Sequence, residues 1–383
     1  TDSAASSTAM ATGFKVNNGV ISQARPGNKH DLETLAELFH RYCKRVGLVT
    51  TTYATHATPA GFGAHVPDRN LTAEIASDYL TQSRPDVLFG GGANGLMPEA
   101  ALTAGYTVIT DRVGMQALSP YSVRRVNGQF GVTYLPYEYD YATGVVTGYN
   151  TLPHLSEMVS ASLALLSTDP QHGFFLMVEG GLIDQAGHAN NIEKNVFETL
   201  EFDRAVEVAY TWALSRTDTL IIVTADHETG GLTVTANNGA GVFPTVTWTT
   251  TNHTATPVPV YTWGVNAELT PLVHDNTDIY HLARAGLMGA TSCTPAAATI
   301  RRFAGHSAWQ PSNPLPKILV YIMKFSLLLT IFAPLRLCVK LALFPEEPIP
   351  IKSPSLLNNF FITTCYNKDN FKKGGRRWLR NGD

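Results

Sequence analysis

The chain has little with which to cross-link itself or to bind a metal through thiolates. Its 383 residues include four cysteines, Cys43, Cys293, Cys338 and Cys365, and no Cys-x-x-Cys pair. That argues against a thiolate metal site. Three of the four lie beyond residue 289, so residues 1–289 are not expected to rely on disulfides. Positive charge is scarce in the same part. Residues 290–383 hold 13 Lys and Arg against 4 Asp and Glu, which leaves 15 against 27 in residues 1–289. An acidic body argues against broad nucleic-acid binding, which needs a positive face. A membrane-crossing helix wants roughly 20 unbroken apolar residues. The most apolar stretch, 318–344, is broken by Lys324, Pro334, Arg336 and Lys340. It reads as part of an unrelated basic and apolar tail, 290–383, rather than a clean span. Signal peptide and initiator methionine are both missing from the opening Thr1-Asp2-Ser3. The expectation is a start truncated inside a motif.

What is present suits a packed α/β protein. Hydrophobic residues make up 44% and charged residues 15% of the chain, in the range of globular domains. Apolar periodicity predicts helices over 31–46 (with Asp31 as cap and Gly47 as stop), 71–82, 155–167, 192–214 and 278–287. Short apolar runs predict strands over 48–51, 86–89, 174–178 and 219–224, with a turn at Gly90-Gly91-Gly92. Alternation of this kind implies a mostly parallel sheet with helices on both faces. Ligands of such sheets bind beyond the carboxyl ends of the strands, and Glu179, Asp226 and His227 follow two of the predicted strands there.

Five clusters carry the chemistry. Thr1-Asp2-Ser3-Ala4-Ala5 offers a hydroxyl and small residues at a helix start, where backbone N–H groups favour an anion. Glu179-Gly180-Gly181-Leu182-Ile183-Asp184-Gln185-Ala186-Gly187-His188 holds an Asp and a His four apart, able to face one metal from one helical turn. Carboxylate plus imidazole suits zinc. Thr224-Ala225-Asp226-His227-Glu228 supplies a neighbouring Asp-His pair after a buried strand. Asn252-His253-Thr254 adds a loop histidine, and His56-Ala57-Thr58-Pro59-Ala60 precedes Arg69 in the same region. Thr58 offers a hydroxyl for magnesium, and Arg69 a fork for two phosphate oxygens. Alone, each cluster also has a bland reading: a polar terminus, a surface Asp/His pair, an ordinary loop.

Taken together, in order and spacing over residues 1–289, these clusters resemble the alkaline phosphatase family. The resemblance implies a three-layer α/β/α sandwich with a mostly parallel central sheet. It implies hydrolysis of small phosphate monoesters through a phosphoserine at Ser3, releasing an alcohol and inorganic phosphate. Arg69 would bind phosphate and Asp2 would help orient that arginine. Two Zn2+ and one Mg2+ are implied: one zinc on Asp184, His188 and His253, the second on Asp226 and His227, magnesium on Thr58 and Glu179. The chain departs from the pattern in two ways. The family's bridging Asp would lie upstream of Thr1, so the second zinc and magnesium sites each lack a carboxylate. His56 and Gln185 stand where relatives tune magnesium binding and phosphate contact. The resemblance also implies a homodimer and an extracytoplasmic location, no nucleic-acid partner, and leaves membrane association open. The competing expectations are a related two-metal phosphodiesterase or sulfatase-like hydrolase, and an inactive fragment lacking one metal ligand.

Overall fold

A computed structural model of the chain describes residues 2–145, 149–169, 172–287, 318–323 and 377–379. Its strands are β1 (Arg45–Tyr53), β2 (Val87–Gly91), β3 (Thr107–Ile109), β4 (Val126–Gln129), β5 (Phe174–Glu179), β6 (Thr219–Thr224), β7 (Glu228–Thr229), β8 (Thr233–Ala236), β9 (Thr245–Thr247), β10 (His253–Thr254), β11 (Val258–Gly264), β12 (Ile318–Met323) and β13 (Arg377–Leu379). Nine of them form one sheet in the order β13-β11-β6-β12-β5-β1-β2-β4-β3. Pairing is parallel from β6 across to β3. Only the pairings of β11 near one edge, with β6 and with β13, are antiparallel.

Both faces of this sheet are covered, and the strands record it residue by residue. In β5, Phe175 and Met177 join the core that contains Met10, Phe39, Phe62 and Leu282. Phe174, Leu176 and Val178 join the opposite core with Leu163, Phe202 and Ala209. Leu220 and Ile222 of β6 face the first core, Ile221 and Val223 the second. The period of two sends alternate side chains to opposite faces. Burial on both faces is why these strands are continuous apolar runs. The result is an α/β/α sandwich: helices Ser3–Thr12, Leu35–Arg41, Ala57–Gly63 and Asp278–Ala285 on one side, Leu155–Leu166 and Ile192–Ala213 on the other.

Several local expectations shift. The helix foreseen over 31–46 is only Leu35–Arg41, because Thr34, not Asp31, caps it. The Thr34 hydroxyl accepts from Glu37 N, and Glu37 Oε2 accepts from Thr34 N at 2.9 Å. Such a capping box typically contributes about 1 kcal/mol. Gly47 ends no helix but lies inside β1. There a Cβ would come 2.7 Å from Leu176 Cδ1 and 2.8 Å from Leu166 Cδ1, so only glycine lets the helix Leu155–Leu166 pack this closely. The helix over 71–82 divides into Thr72–Asp78 and a π-helical turn, Tyr79–Ser83. Gly90 and Gly91 extend β2 rather than turning. Cys43 is disulfide-bonded, which the cysteine distribution did not foresee for the body.

The largest correction concerns the tail. Residues 290–383 were expected to stand apart from a domain ending at residue 289. Instead Ile318–Met323 enters the middle of the sheet, parallel to β5 on one side and β6 on the other. The six residues ILVYIM are continuously apolar, which suits a strand covered on both faces, and Val320 is fully buried. Arg377–Leu379 pairs with β11 at the edge. The remainder of 290–383, including the other part of the apolar stretch, lies outside the described residues. None of the described helices is long and apolar enough to cross a membrane.

Candidate active site

The parallel strands bring their carboxyl ends to one edge of the sheet, and the chemistry collects there. β5 ends at Glu179, β6 leads into Asp226 and His227, and β1 ends in the run Thr50-Thr51-Thr52. The ten-residue helix Ser3–Thr12 brings Ser3 to the same edge, and Ser6 Oγ donates to Asp226 O at 2.8 Å to tie it there. The helix Ala57–Gly63 packs against it, with Gly61 lying so close to Ser7 that any side chain would clash.

Asp2 organises the entry. Its Oδ1 accepts from Ala4 N at 3.2 Å, capping the Ser3 helix, and from Arg69 Nη1 at 2.7 Å. Its Oδ2 accepts from Gly19 N at 2.7 Å. Burial pushes the Asp2 pKa up, but Arg69 and the two backbone N–H groups outweigh this and hold it below the usual carboxylate value. One ionised carboxylate therefore fixes both the serine's helix and the arginine. Arg69 Nη2 also meets His56 Nε2 at 3.2 Å.

Ser3 is buried, and its Oγ lies 2.9 Å from His227 Nε2. Asp226 Oδ2 lies 3.1 Å from the same nitrogen. The other ring nitrogen, Nδ1, faces Thr229 Oγ1 at 3.3 Å. In a serine–histidine–acid relay the acid sits on the ring nitrogen that does not face the serine. Here hydroxyl, imidazole nitrogen and carboxylate converge on one point, the arrangement of ligands around a cation.

A second convergence adjoins the first. His188 Nε2 and His253 Nε2 are 3.1 Å apart, and Asp184 Oδ1 is 3.5 Å from the former and 3.3 Å from the latter. These spacings match the edge of a tetrahedron with bonds of about 2.0–2.1 Å, roughly 3.3 Å, as zinc forms with nitrogen and oxygen. His188 Nδ1 donates to Thr251 O at 2.6 Å, so its proton is on Nδ1 and the lone pair on Nε2 points inward. Thr229 Oγ1 donates to Asp184 Oδ1 at 2.6 Å, and the His227 and His253 rings stack at 3.5 Å. The two groups thus share a wall.

Ser3, Asp226 and His227 meet at this edge with Asp2 and Arg69 beside them, and Asp184, His188 and His253 adjoin them, but the residues proposed from the sequence are not equally gathered. Asp184, His188 and His253 form a three-ligand group, whereas Asp226 and His227 gather no third carboxylate, imidazole or thiolate among the described residues. Glu179 Oε2 accepts from Thr50 Oγ1 at 2.5 Å and meets Thr52 Oγ1 at 3.4 Å. Thr58 makes no hydrogen bond to Glu179. Its hydroxyl is fully buried and has no hydrogen-bond partner among the described residues, a costly state that an oxygen-seeking cation would relieve. Sequence reasoning missed Thr229, which bridges the two groups, and Thr50, which holds Glu179. Both lie in polar runs at strand ends, TADHETGG and TTTY, and that placement was the available signal.

Fold and site define a three-layer α/β protein with cation-gathering side chains beside a buried serine. The family model for alkaline phosphatase matches residues 1–246, and the chain belongs to that family. Alkaline phosphatase 3 of Bacillus subtilis is 35% identical over 62% of this chain and 51% of its own. Streptomycin-6-phosphate phosphatase of Streptomyces griseus is 33% identical over 75% and 78%. The chain thus spans about half the length of the first of these relatives and more of the second. Among solved structures, the cold-active alkaline phosphatase of a psychrophilic Shewanella superposes with a TM-score of 0.64 at 30% identity, covering 73% of this chain and 84% of that one. A variant of the TAB5 alkaline phosphatase, at 29% identity and a TM-score of 0.62, was solved with magnesium in its M3 site. His253 falls beyond the matched family segment, so its place rests on geometry.

Proposed function

We propose that the chain hydrolyses phosphate monoesters through a phosphoserine at Ser3, releasing the alcohol and inorganic phosphate. The observation that carries this reading is the convergence of Ser3 Oγ and Asp226 Oδ2 on one nitrogen of His227, beside the Asp184, His188 and His253 triangle. The relatives named as alkaline phosphatases and as a streptomycin-6-phosphate phosphatase support the monoester class. The donor chemistry fits two Zn2+ and one Mg2+: Asp184, His188 and His253 for one zinc, Asp226 and His227 for the other, Thr58 and Glu179 for magnesium. When bound, such cations neutralise charge on the attacking and leaving oxygens of an in-line displacement.

The remaining work falls to the chain's own groups. The Ser3 hydroxyl attacks phosphorus, forming a serine O–P bond as the ester O–P bond breaks and the alcohol leaves. Water then breaks the serine O–P bond. N–H groups at the start of the Ser3 helix favour the phosphate dianion. Arg69, held in place by Asp2, offers its fork to two phosphate oxygens. Incubation with inorganic phosphate at mildly acidic pH, followed by mass mapping, should find the adduct on Ser3. An adduct on another residue, or none, would count against the role. Comparing p-nitrophenyl phosphate with its bis-ester and sulfate analogues separates a monoesterase from a diesterase or sulfatase.

One observation favours a second reading, an inert or single-metal form. The strand between β5 and β6, Ile318–Met323, contains no Asp or Glu, and beside the Ser3 hydroxyl Asp226 and His227 gather no third carboxylate, imidazole or thiolate among the described residues. Metal content measured beside turnover decides between the two.

A further inference from the structure

Arg69 is held from two directions. The Asp2 carboxylate grips its guanidinium, and Gly19 grips its backbone: Arg69 N donates to Gly19 O at 2.7 Å. Gly19 N in turn donates to Asp2 Oδ2 at 2.7 Å. One residue thus serves the carboxylate with its N–H and the arginine with its carbonyl. The segment that carries Gly19 runs beside residues 65–69 as a short ladder. Ile21 and Val66 exchange both backbone hydrogen bonds, at 3.0 and 3.1 Å. Ser22 follows with a φ of 43°, a left-handed conformation uncommon for a residue with a side chain. Its carbonyl accepts from Leu32 N at 2.8 Å and from His65 Nδ1 at 2.9 Å. A conformation of this kind persists where the surroundings over-determine it.

His65 pins the far end of this ladder. Its side chain is 4% exposed, and its other ring nitrogen, Nε2, donates to Glu37 Oε1 of the helix Leu35–Arg41 at 2.8 Å. Burial raises the Glu37 pKa, but His65 and Thr34 outweigh this and hold it below the usual carboxylate value. Both nitrogens of His65 therefore face oxygens that only accept, a carbonyl and an ionised carboxylate, and the ring carries a proton on each. Its other neighbours agree with a positive charge: Asp78 accepts from His65 N at 2.8 Å, and Asp31 lies near. Hydrogen bonds from an ionised donor are roughly twice as strong as neutral ones, so this pin is stronger than the ladder's own backbone bonds.

We propose that His65 is a positioning residue for phosphate binding: bonded to Glu37 and Ser22, it holds the Gly19 segment in register, and through Gly19 it fixes Asp2 and Arg69 where the guanidinium receives two phosphate oxygens. This role presupposes that Arg69 binds phosphate as proposed above. Bidentate contact is sensitive to placement, and a shift of about 1 Å in a substrate-positioning group can cost on the order of 100-fold.

The test is calorimetric titration of the full chain with inorganic phosphate, in buffer containing zinc and magnesium. Four forms are compared: the unaltered chain, His65→Gln, Arg69→Ala and the double variant. His65→Gln loses the charge and the bond to Ser22 O. It should weaken phosphate binding by about fivefold or more, the low end of coupling between separate sites. In the double variant it should add nothing to the loss caused by Arg69→Ala, because the arginine through which it acts is gone. If His65→Gln fails to fold by circular dichroism, Glu37→Gln, which removes the carboxylate and leaves the imidazole, takes its place in the same cycle with the same expectation. A lower melting temperature with unchanged phosphate affinity would reduce His65 to a support of the fold and overturn the role. So would a loss that persists in full on the Arg69→Ala background. Phosphate affinity unmoved by Arg69→Ala alone, or absent in the unaltered chain, would instead overturn the role of Arg69 itself, and that of His65 with it.

Discussion

The two halves of the Ser3 centre are built differently. Asp184, His188 and His253 come from one helical turn and one short strand. Asp184 and His188 are neighbours by helical period alone, and only His253 must arrive from elsewhere, carried by the pairing of β10 with β7. The other half draws on the Ser3 helix, the Thr58 helix, the end of β5 and the loop after β6. None of these is near another in sequence, and their common anchor is the order of strands in the sheet. The β12 strand lies at the middle of that anchor, with Met323 in register with both Glu179 and Thr224. A site assembled locally tolerates disturbance of the sheet, whereas one assembled across it depends on every strand that sets the spacing.

The sharpest way to break this comparison is to remove β12. Deleting residues 290–383 takes a strand from between β5 and β6 and should leave an insoluble or molten chain, read by circular dichroism and gel filtration. A soluble chain with unchanged turnover would show that Ile318–Met323 is dispensable and that the sheet holds both halves without it. Next in size, Ser3→Ala should reduce turnover of p-nitrophenyl phosphate by on the order of 10³-fold or more, since covalent catalysis is lost. Its melting temperature should hardly move.

Metal content tests the asymmetry directly. The chain should hold one zinc tightly, at Asp184, His188 and His253. His188→Ala should remove it, while Asp226→Ala should leave it in place, as measured by elemental analysis after dialysis. Two tightly held zinc ions in the unaltered chain would mean that the second half is complete without a further carboxylate. A smaller effect is expected for Arg69→Ala. Hydrogen bonds to a charged group contribute about 1.5–3 kcal/mol, so phosphate inhibition should weaken roughly 10- to 150-fold. KM should rise more than kcat falls, because the arginine contacts ground and transition states alike.

The smallest effect lies outside both halves and separates changes of fold from changes of site. Burial alone would lower the His65 pKa, but Glu37, bonded at 2.8 Å, and the Ser22 carbonyl raise it to about 9. A folded pKa above the unfolded value near 6.5 means that this stabilisation is fully present below about pH 6.5 and is lost as pH rises through about 9. Denaturant midpoints measured at pH 6 and pH 10 should differ less in Glu37→Gln than in the unaltered chain. An equal difference in both would remove His65 from the pH response.

Much of this was legible from residues alone. Helix 192–214 and strand 219–224 carry strong periodicity and buried apolar runs, and both formed almost as read. The Asp184–His188 pair was readable because four residues make one helical turn. Local patterns misled at Gly47, where a glycine beside an apolar run resembles a helix stop. The reason for that glycine is the approach of Leu166 and Leu176, residues far away in sequence. Segment 318–323 was misread for the same kind of reason. Six apolar residues among lysines and prolines carry no sign of which strands will flank them.

The sequence by itself determined most element types, the acidic body and the set of candidate ligand residues, because propensity, periodicity and side-chain chemistry are local properties. Only the tertiary structure decided which of those residues converge. It put Ser3 and Asp226 on the same nitrogen of His227, Thr229 between the two halves, and Ile318–Met323 in the centre of the sheet. Convergence is set by strand order and helix packing, where hydrophobic burial on two faces fixes the spacing between segments that no local pattern links.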